Sequence, residues 1–595
     1  MNLKPAAAKK CRPLPCPACG AASRDRHGER GYAVVTVIVI GAVSLAILAG
    51  TLQWAGTNNT LNARNNQYFR TVAAAEAATE KVISSLTRDY QEQGDYGNFS
   101  HMDAYRAMVP TACENAVWTD YSFTDGRGST ARTYVEYVPP TEFRLLSSQY
   151  RGLYGYASSY RIVSNARELA TTLNITAGVR QDVEMTTIPV FQFAIFYNMD
   201  LEINPGPVMT ISGPVHGNQN IYLQPQNVLT FESDVTAAGQ IIHDKKPGDP
   251  VGRSGGSVVY EAEHDSGVSS LTLPIGTNNS PDAVREVVEI PPSGESATSL
   301  MGKQRYYNKA DVLILLTDSG VSVKSGIYNN SAITVPSSQY NSWLTPTVSF
   351  YNKRESKTVN AAQIDVAKLV QWNQTNTILR PSLGLGDLRI VYVADRRTQT
   401  SSTESGVRLV NGQTLLPQGL TLATPNPLYV KGHYNCPTSA LGTHNTAGTK
   451  PASLIADAVT LLSGSWNDAN ANSGLSCRTA SDTTVNAALL AGIVQTVSGS
   501  YSGGAENFPR FLENWSGRRL TYNGSMVVMF PSEYATGLWR GTGSTIGIYN
   551  PPDRDWAFDQ NFRDVNKLPP GTPQIRALIR GQWAMVRPNS TAVVP

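Results

Sequence analysis

Cys11, Cys16 and Cys19 stand in a C-x4-C-x2-C spacing, the first place in the chain where residue type and interval suit a metal. A structural zinc site needs a fourth ligand and a second spaced pair. Neither follows, so the three thiols read as reduced groups of a basic leader. Cys436 and Cys477 enclose a loop of about 40 residues, and a bridge there would contribute about 3 to 4 kcal/mol. These two are expected to pair, with Cys113 free or joined elsewhere.

The carboxylates divide similarly. Asp468-Ala469-Asn470-Ala471-Asn472-Ser473-Gly474 alternates oxygen ligands like a calcium loop, but the glycine comes one place late and no glutamate closes it. It reads as a solvated turn, and no metal or cofactor is assigned. Asp553, Asp555 and Asp559 have the residue type for glycan chemistry, yet Pro551-Pro552-Asp553-Arg554 reads as a loop with local ion pairs. Glu506, Arg510 and Glu513 are spaced for a solvated helical ion-pair face. Trp466, Trp515, Trp539, Trp556 and Trp583 crowd the C-terminal part, where they suit core and capping roles or a sugar- or protein-binding surface. No nucleophile elbow, phosphate loop or zinc-protease helix occurs, so no catalytic residue is assigned.

The element that organises this chain lies near its start. No charged residue falls between Arg30 and Arg64, and Tyr32 to Leu52 is almost wholly apolar. At about 1.5 Å per residue that stretch spans about 30 Å, the thickness of a bilayer's hydrocarbon core. Seven basic against two acidic residues precede it, a local charge of +5 that leaves the remainder near −2. The positive-inside rule then keeps the leader cytoplasmic and the bulk outside. A mildly acidic body argues against nucleic acid as partner. Helical spacing of Val72, Ala75, Thr79, Val82, Ile83 and Leu86 predicts that the helix continues beyond the apolar run.

Gly28-Glu29-Arg30-Gly31-Tyr32 followed by this run resembles the class III signal of type IV prepilins and type II secretion pseudopilins. Ala73-Ala74-Ala75-Glu76-Ala77-Ala78 resembles the corresponding stretch of PilX-like minor pilins. The resemblance implies cleavage by a prepilin peptidase between Gly31 and Tyr32, and a helix that stays in the inner membrane beside other pilin-like subunits. Major pilins carry glutamate at the fifth mature position. Here it is Thr36, which suits a minor or tip subunit, since a carboxylate in lipid is costly. An ordinary signal anchor is the alternative.

Residues 91–190, with runs such as Thr133 to Val138 and Val179 to Ile188, read as the antiparallel sheet of a pilin-like α+β head. From Phe196 a repeat begins: Leu201, Met209, Ile211 and Val215 recur 20 residues on as Ile221, Leu229, Phe231 and Val235, with Asp200, Asn220 and Gln240 at the turns. Such coils must stack to bury their apolar side. His216 and His243 are out of step with the repeat. Leu420, Leu422, Leu428 and Val430 match Leu201, Ile203, Met209 and Ile211 at an offset of 219.

The expected fold is mainly β with an N-terminal transmembrane helix, a pilin-like head and a parallel β-helix, or solenoid. The segments are a leader (1–31), the helix (32–90), the head (91–190), coils (191–243), an insertion with one helix (244–385), further coils (386–548) and a C-terminal cap or tail (549–595). The expected role is a non-enzymatic minor-pilin-like subunit with its bulk periplasmic or at the cell surface, presenting the body to a surface glycan or protein. The alternatives are a membrane-anchored β-helix polysaccharide lyase or hydrolase, and an envelope scaffold without filament contact.

Overall fold

A computed structural model describes residues 32–588, apart from 170, 172, 327–331 and 381–385. Gly31 and the leader thiols Cys11, Cys16 and Cys19 lie outside the described residues. The chain divides into two units, residues 1–70 and 71–595.

Helix α1 runs Tyr32–Gln93. It contains no proline, which would remove a backbone donor and break the helix. In the second unit Val72, Ala75, Thr79, Val82, Ile83 and Leu86, the positions at helical spacing, are all buried. The same unit holds the antiparallel strands β1 (Tyr121–Thr124), β2 (Tyr134–Leu145), β3 (Tyr154–Glu168) and β4 (Thr176–Pro189). The long β3 pairs β2 along its first part, β1 along its last, and β4 on its other edge. Val82, Ile83, Leu86 and Tyr90 pack against Val135, Tyr160, Ile162, Val183 and Met185. Each such aliphatic side chain contributes about 1.5 to 3 kcal/mol on burial.

Parallel sheets follow. Strands β5 (Ile195–Tyr197), β6 (Leu201–Ile203), β7 (Met209–Ile211), β8 (Val215–Gly217), β9 (Ile221–Leu223), β10 (Val228–Phe231), β11 (Val235–Ala237) and β12 (Ile241–Ile242) fall on three sheets in turn. Leu201 pairs Ile221, Met209 pairs Leu229, Val215 pairs Val235 and Ile221 pairs Ile241, all at the 20-residue interval read from the sequence. The turn residues form a ladder of their own: Asn220 N–H donates to Asp200 Oδ1 at 3.1 Å and Gln240 N–H to Asn220 Oδ1 at 2.9 Å. Side-chain carboxylate and amide oxygens thus accept backbone donors at the corners.

Strands β13 (Ser257–Tyr260) and β14 (His264–Ser266) extend two of these sheets at a widened interval of 29 residues. Then come β15 (Val312–Thr317), β16 (Gly320–Ser325), β17 (Leu344–Asn352), β18 (Lys357–Asp365), β19 (Ile390–Asp395), β20 (Thr403–Val410), β21 (Leu420–Ala423), β22 (Leu428–Lys431), β23 (Ala452–Ala456), β24 (Val459–Leu462), β25 (Thr483–Ala491), β26 (Arg519–Val528) and β27 (Asp553–Phe558). One sheet runs β14-β11-β8-β5-β26-β25-β23-β21-β19-β15-β16, with β27 on β26; another runs β17-β18-β20-β22-β24. The chain therefore enters the large sheet at β5, in its middle. It builds outward to β14, returns through residues 267–311 to the far edge, and works back to β26, where Met526 pairs Ile195.

Three expectations are corrected. Residues 244–385 are not an insertion with one helix: β13 to β18 are strands of the sheets, and several short helices accompany them. The one helix expected in this segment, over Asn360 to Trp372 from the spacing of Ile364, Val366, Leu369 and Val370, is strand until Asp365, whose Oδ1 then caps helix Val366–Thr375 by accepting Lys368 N–H at 3.1 Å. The 219-residue match does not relate equivalent strands, because β6 and β21 lie in different sheets; apolar pairs around a Pro-bearing turn serve either setting. The described part of the expected C-terminal cap or tail (549–595), residues 549–588, belongs to the sheets instead. β27 pairs β26, and a further strand, β28 (Gln574–Val586), pairs β4 in the antiparallel sheet, burying alternate residues Ile575, Ala577 and Ile579.

His216 is fully buried on β8, stacked on Phe196, with Nδ1 2.8 Å from Thr236 Oγ1 and Nε2 2.9 Å from Asn218 Oδ1. Burial drives its pKa down to about 4 from 6.5. The unfolded chain then binds the extra proton between those values, so stability present above pH 6.5 is lost as pH falls towards 4. Thermal melts of the detergent-solubilised chain should show this loss, on the order of 3 kcal/mol, and His216→Gln should remove most of that pH dependence.

Candidate functional site

Tyr32, Thr36 and Leu52 all lie on α1, and the large apolar side chains from Tyr32 to Trp54 are exposed. An 18-residue window of this helix is apolar enough to cross a membrane, with none of it buried. Both threonine hydroxyls of the stretch are satisfied within the helix: Thr36 Oγ1 donates to Tyr32 O at 2.8 Å and Thr51 Oγ1 to Leu48 O at 2.9 Å. Those two threonine hydroxyls need no water, the condition hydrocarbon imposes.

In the second unit, strand β28 fastens the end of α1. Arg576 Nη1 donates to the carbonyls of Tyr90 and Gln91, each at 2.7 Å, and Gln91 Nε2 donates to Arg576 O at 3.0 Å. These carbonyls belong to the last turn, where intrahelical donors run out. Tyr90 Oη meets Thr187 Oγ1 at 2.7 Å. Arg580 grips Glu80 through two bonds of 2.6 and 2.9 Å, and this bonding lowers the Glu80 pKa. Asp89 accepts Tyr105 Oη at 2.7 Å and lies 2.8 Å from His101 Nδ1; burial opposes its charge, but these bonds and Arg88 outweigh it and the pKa falls.

The carboxylates singled out by sequence are tied into the fold. Asp553 Oδ2 accepts Arg519 Nε at 3.0 Å. Asp555 Oδ1 lies 2.9 Å from His444 Nε2, whose Nδ1 is 2.6 Å from Asn523 Oδ1. With both ring nitrogens facing oxygen acceptors, His444 is a tie between the loop after β22 and strands β26 and β27. Asp559 is buried and accepts Thr446 Oγ1 at 2.8 Å and Asn561 N–H at 3.0 Å; burial raises its pKa. Asp553, Arg554, Asp555 and Trp556 of β27 line, with Pro205, Pro207 and Met209, a groove of about 300 Å³.

Asp468 accepts Arg408 Nη1 at 2.6 Å and Trp466 Nε1 at 2.9 Å. Among the described residues no group of His, Cys, Asp and Glu is placed to hold a metal. Glu506, Arg510 and Glu513 are not a solvated helical face: all three are buried. Their segment is largely extended, with Arg510 N–H donating to Val459 O and Leu461 N–H to Arg510 O. The charges find partners inside, Arg510 on Glu355 at 2.8 Å and Glu513 on Ser463 Oγ at 2.7 Å. The expected Cys436 to Cys477 bridge is not formed. Cys436 is buried with Sγ donating to Pro437 O at 3.5 Å, Cys477 is exposed, and both are free, as is Cys113. Trp466 and Trp515 are core residues, and Trp583 is exposed on β28.

No family model and no curated protein matches the chain. Among solved structures it is similar to the competence-associated pilin ComZ from Thermus thermophilus, at 11% identity over 87% of this chain and 97% of that one, with a TM-score of 0.27, too low to establish a shared fold.

Arg576→Ala should release the end of α1 from β28. Loss of the partly buried charged hydrogen bonds is expected to cost about 2 to 4 kcal/mol, read as a lowered denaturation midpoint of the solubilised chain.

Proposed function

We propose that this chain is a non-catalytic, minor-pilin-like subunit of a type IV pilus or related secretion filament. α1 holds it in the inner membrane, and a body read as a β-helix is presented outside as an adhesive or structural module. The observation that carries the reading is that α1 is one unbroken helix, apolar and exposed from Tyr32, sheet-packed from Val72. A cleavable secretory signal would be lost at the end of its apolar core. In this chain the same helix runs on from that core and is packed on the sheet from Val72, which favours retention of the helix. Thr36, bonded to its own helix, is compatible with lipid without a neighbouring subunit's charge.

The prepilin peptidase would cut between Gly31 and Tyr32 and discard the leader thiols with the basic segment. Protein extracted from membranes of the native host should then begin at Tyr32 when its N-terminus is sequenced. A mature chain that retains the leader, or one that begins beyond Leu52, would overturn the assignment.

A further inference from the structure

Strands β19, β21 and β23 are successive neighbours in the large sheet, with Ile390 paired to Thr421 and Leu420 paired to Ala452. Gln418 and Lys450 each precede those paired residues by two positions, and Arg389 immediately precedes β19. The three side chains thus stand at the entry ends of adjacent strands, about 4.8 Å apart per strand. Residues 559–570 form the opposite wall, held by Thr421 Oγ1 donating to Pro570 O at 2.6 Å, and add Lys567. Together they line a groove of about 450 Å³.

The donors in this groove are largely uncommitted. Among the described residues, the side chains of Arg389, Lys450 and Gln418 make no hydrogen bond or ion pair, and Lys567 Nζ has one bond, 3.1 Å to Asn561 Oδ1. The carboxyl among the lining side chains is Asp559, already spent on Thr446 and Asn561. Arg389 and Lys450, two strands apart along the stacking direction and without a bonded counter-charge, face Lys567 on the opposite wall, a spread of cations that fits an elongated anion better than a compact one.

We infer that this groove binds an acidic polysaccharide, with Arg389, Lys450 and Lys567 taking successive carboxylates and Gln418 a sugar hydroxyl. Carbohydrate fits better than nucleic acid because Phe562, the aromatic residue lining the groove, is buried and offers no face for base stacking. The inference stands on the groove and does not require the chain to enter a filament.

The test is calorimetric titration of the full, detergent-solubilised chain with polygalacturonate, dextran, polyglutamate and single-stranded DNA. Polygalacturonate should bind with an affinity that falls as salt rises, dextran should not bind, and the other polyanions should bind at least tenfold more weakly. The triple variant Arg389→Gln, Lys450→Gln, Lys567→Gln alters exposed side chains, so its melting temperature should hold while affinity falls at least tenfold. Gln418→Ala, which leaves the charge intact, should weaken binding about threefold. Absence of polygalacturonate binding, undiminished affinity in the triple variant, or DNA or polyglutamate binding as tightly would overturn the inference.

Discussion

The parallel pairing of Met526–Val528 with Ile195–Tyr197 is the contact on which the body depends. Without it the large sheet would fall into two, each with an open edge of unpaired backbone donors and acceptors, and an open edge pairs readily with other chains. With it, the core runs unbroken through residues as distant in sequence as Ile195, Val391, Leu454 and Val527. The chain reaches this contact only after its return path and the whole second run of strands are in place. Long-range closure of that kind carries an entropic cost that local repeats do not.

Charge buried beneath the return path helps hold it in position. Arg285, in a short helix of residues 267–311, donates to Asp457 Oδ1 at 2.9 Å, and the fully buried Asp457 also accepts the backbone N–H groups of Glu533, Tyr534 and Ala535. One carboxylate thus joins the return path, the turn between β23 and β24, and the loop after β26. A buried pair contributes little net stability over apolar packing of the same shape, but losing one partner leaves a stranded charge. Its effect is to fix which loop lies where. The same holds for Arg510 on Glu355, which joins the segment beside β24 to the loop between β17 and β18.

What was readable in the sequence followed from periodicity. The interval of 20 residues gave the register of β6 to β12 because each strand there is short, each corner is marked by Asp, Asn or Gln, and the sheets tolerate little variation in turn length. Once loops lengthen, neighbouring strands lie 31 to 37 residues apart, as in β19 to β26, and no fixed offset survives. Charged residues misled for a related reason. Glu506 and Arg510 look like a solvated face by spacing, but their partners Arg253 and Glu355 are far off in the chain. The strand β28 was hidden by the Pro-rich segment Leu568 to Pro573, which reads as a tail although it only delivers the strand to its sheet. The cysteines failed for want of geometry, since loop length says nothing of whether two thiols share a surface.

The return of β28 to the first sheet changes how the molecule carries force. A body attached only through residues 189–195 would be tethered to the α1 sheet by one strand of backbone. Instead β4 leads into the body and β28 leads out of it, side by side, with Arg576 reaching from β28 to the last turn of α1. A pull on the body would draw both strands from the same end, to be resisted by the long β3–β4 ladder and by the bonds of β28 to α1. Thr272 adds to this connection: its carbonyl accepts Arg576 N–H at 2.9 Å and its Oγ1 donates to Gln91 Oε1 at 3.0 Å, so the return path also bears on the helix end. Helix, sheet and stacked strands meet around Arg576, which joins Arg580, Tyr90 and the paired strands β4 and β28 in coupling the end of α1 to the body.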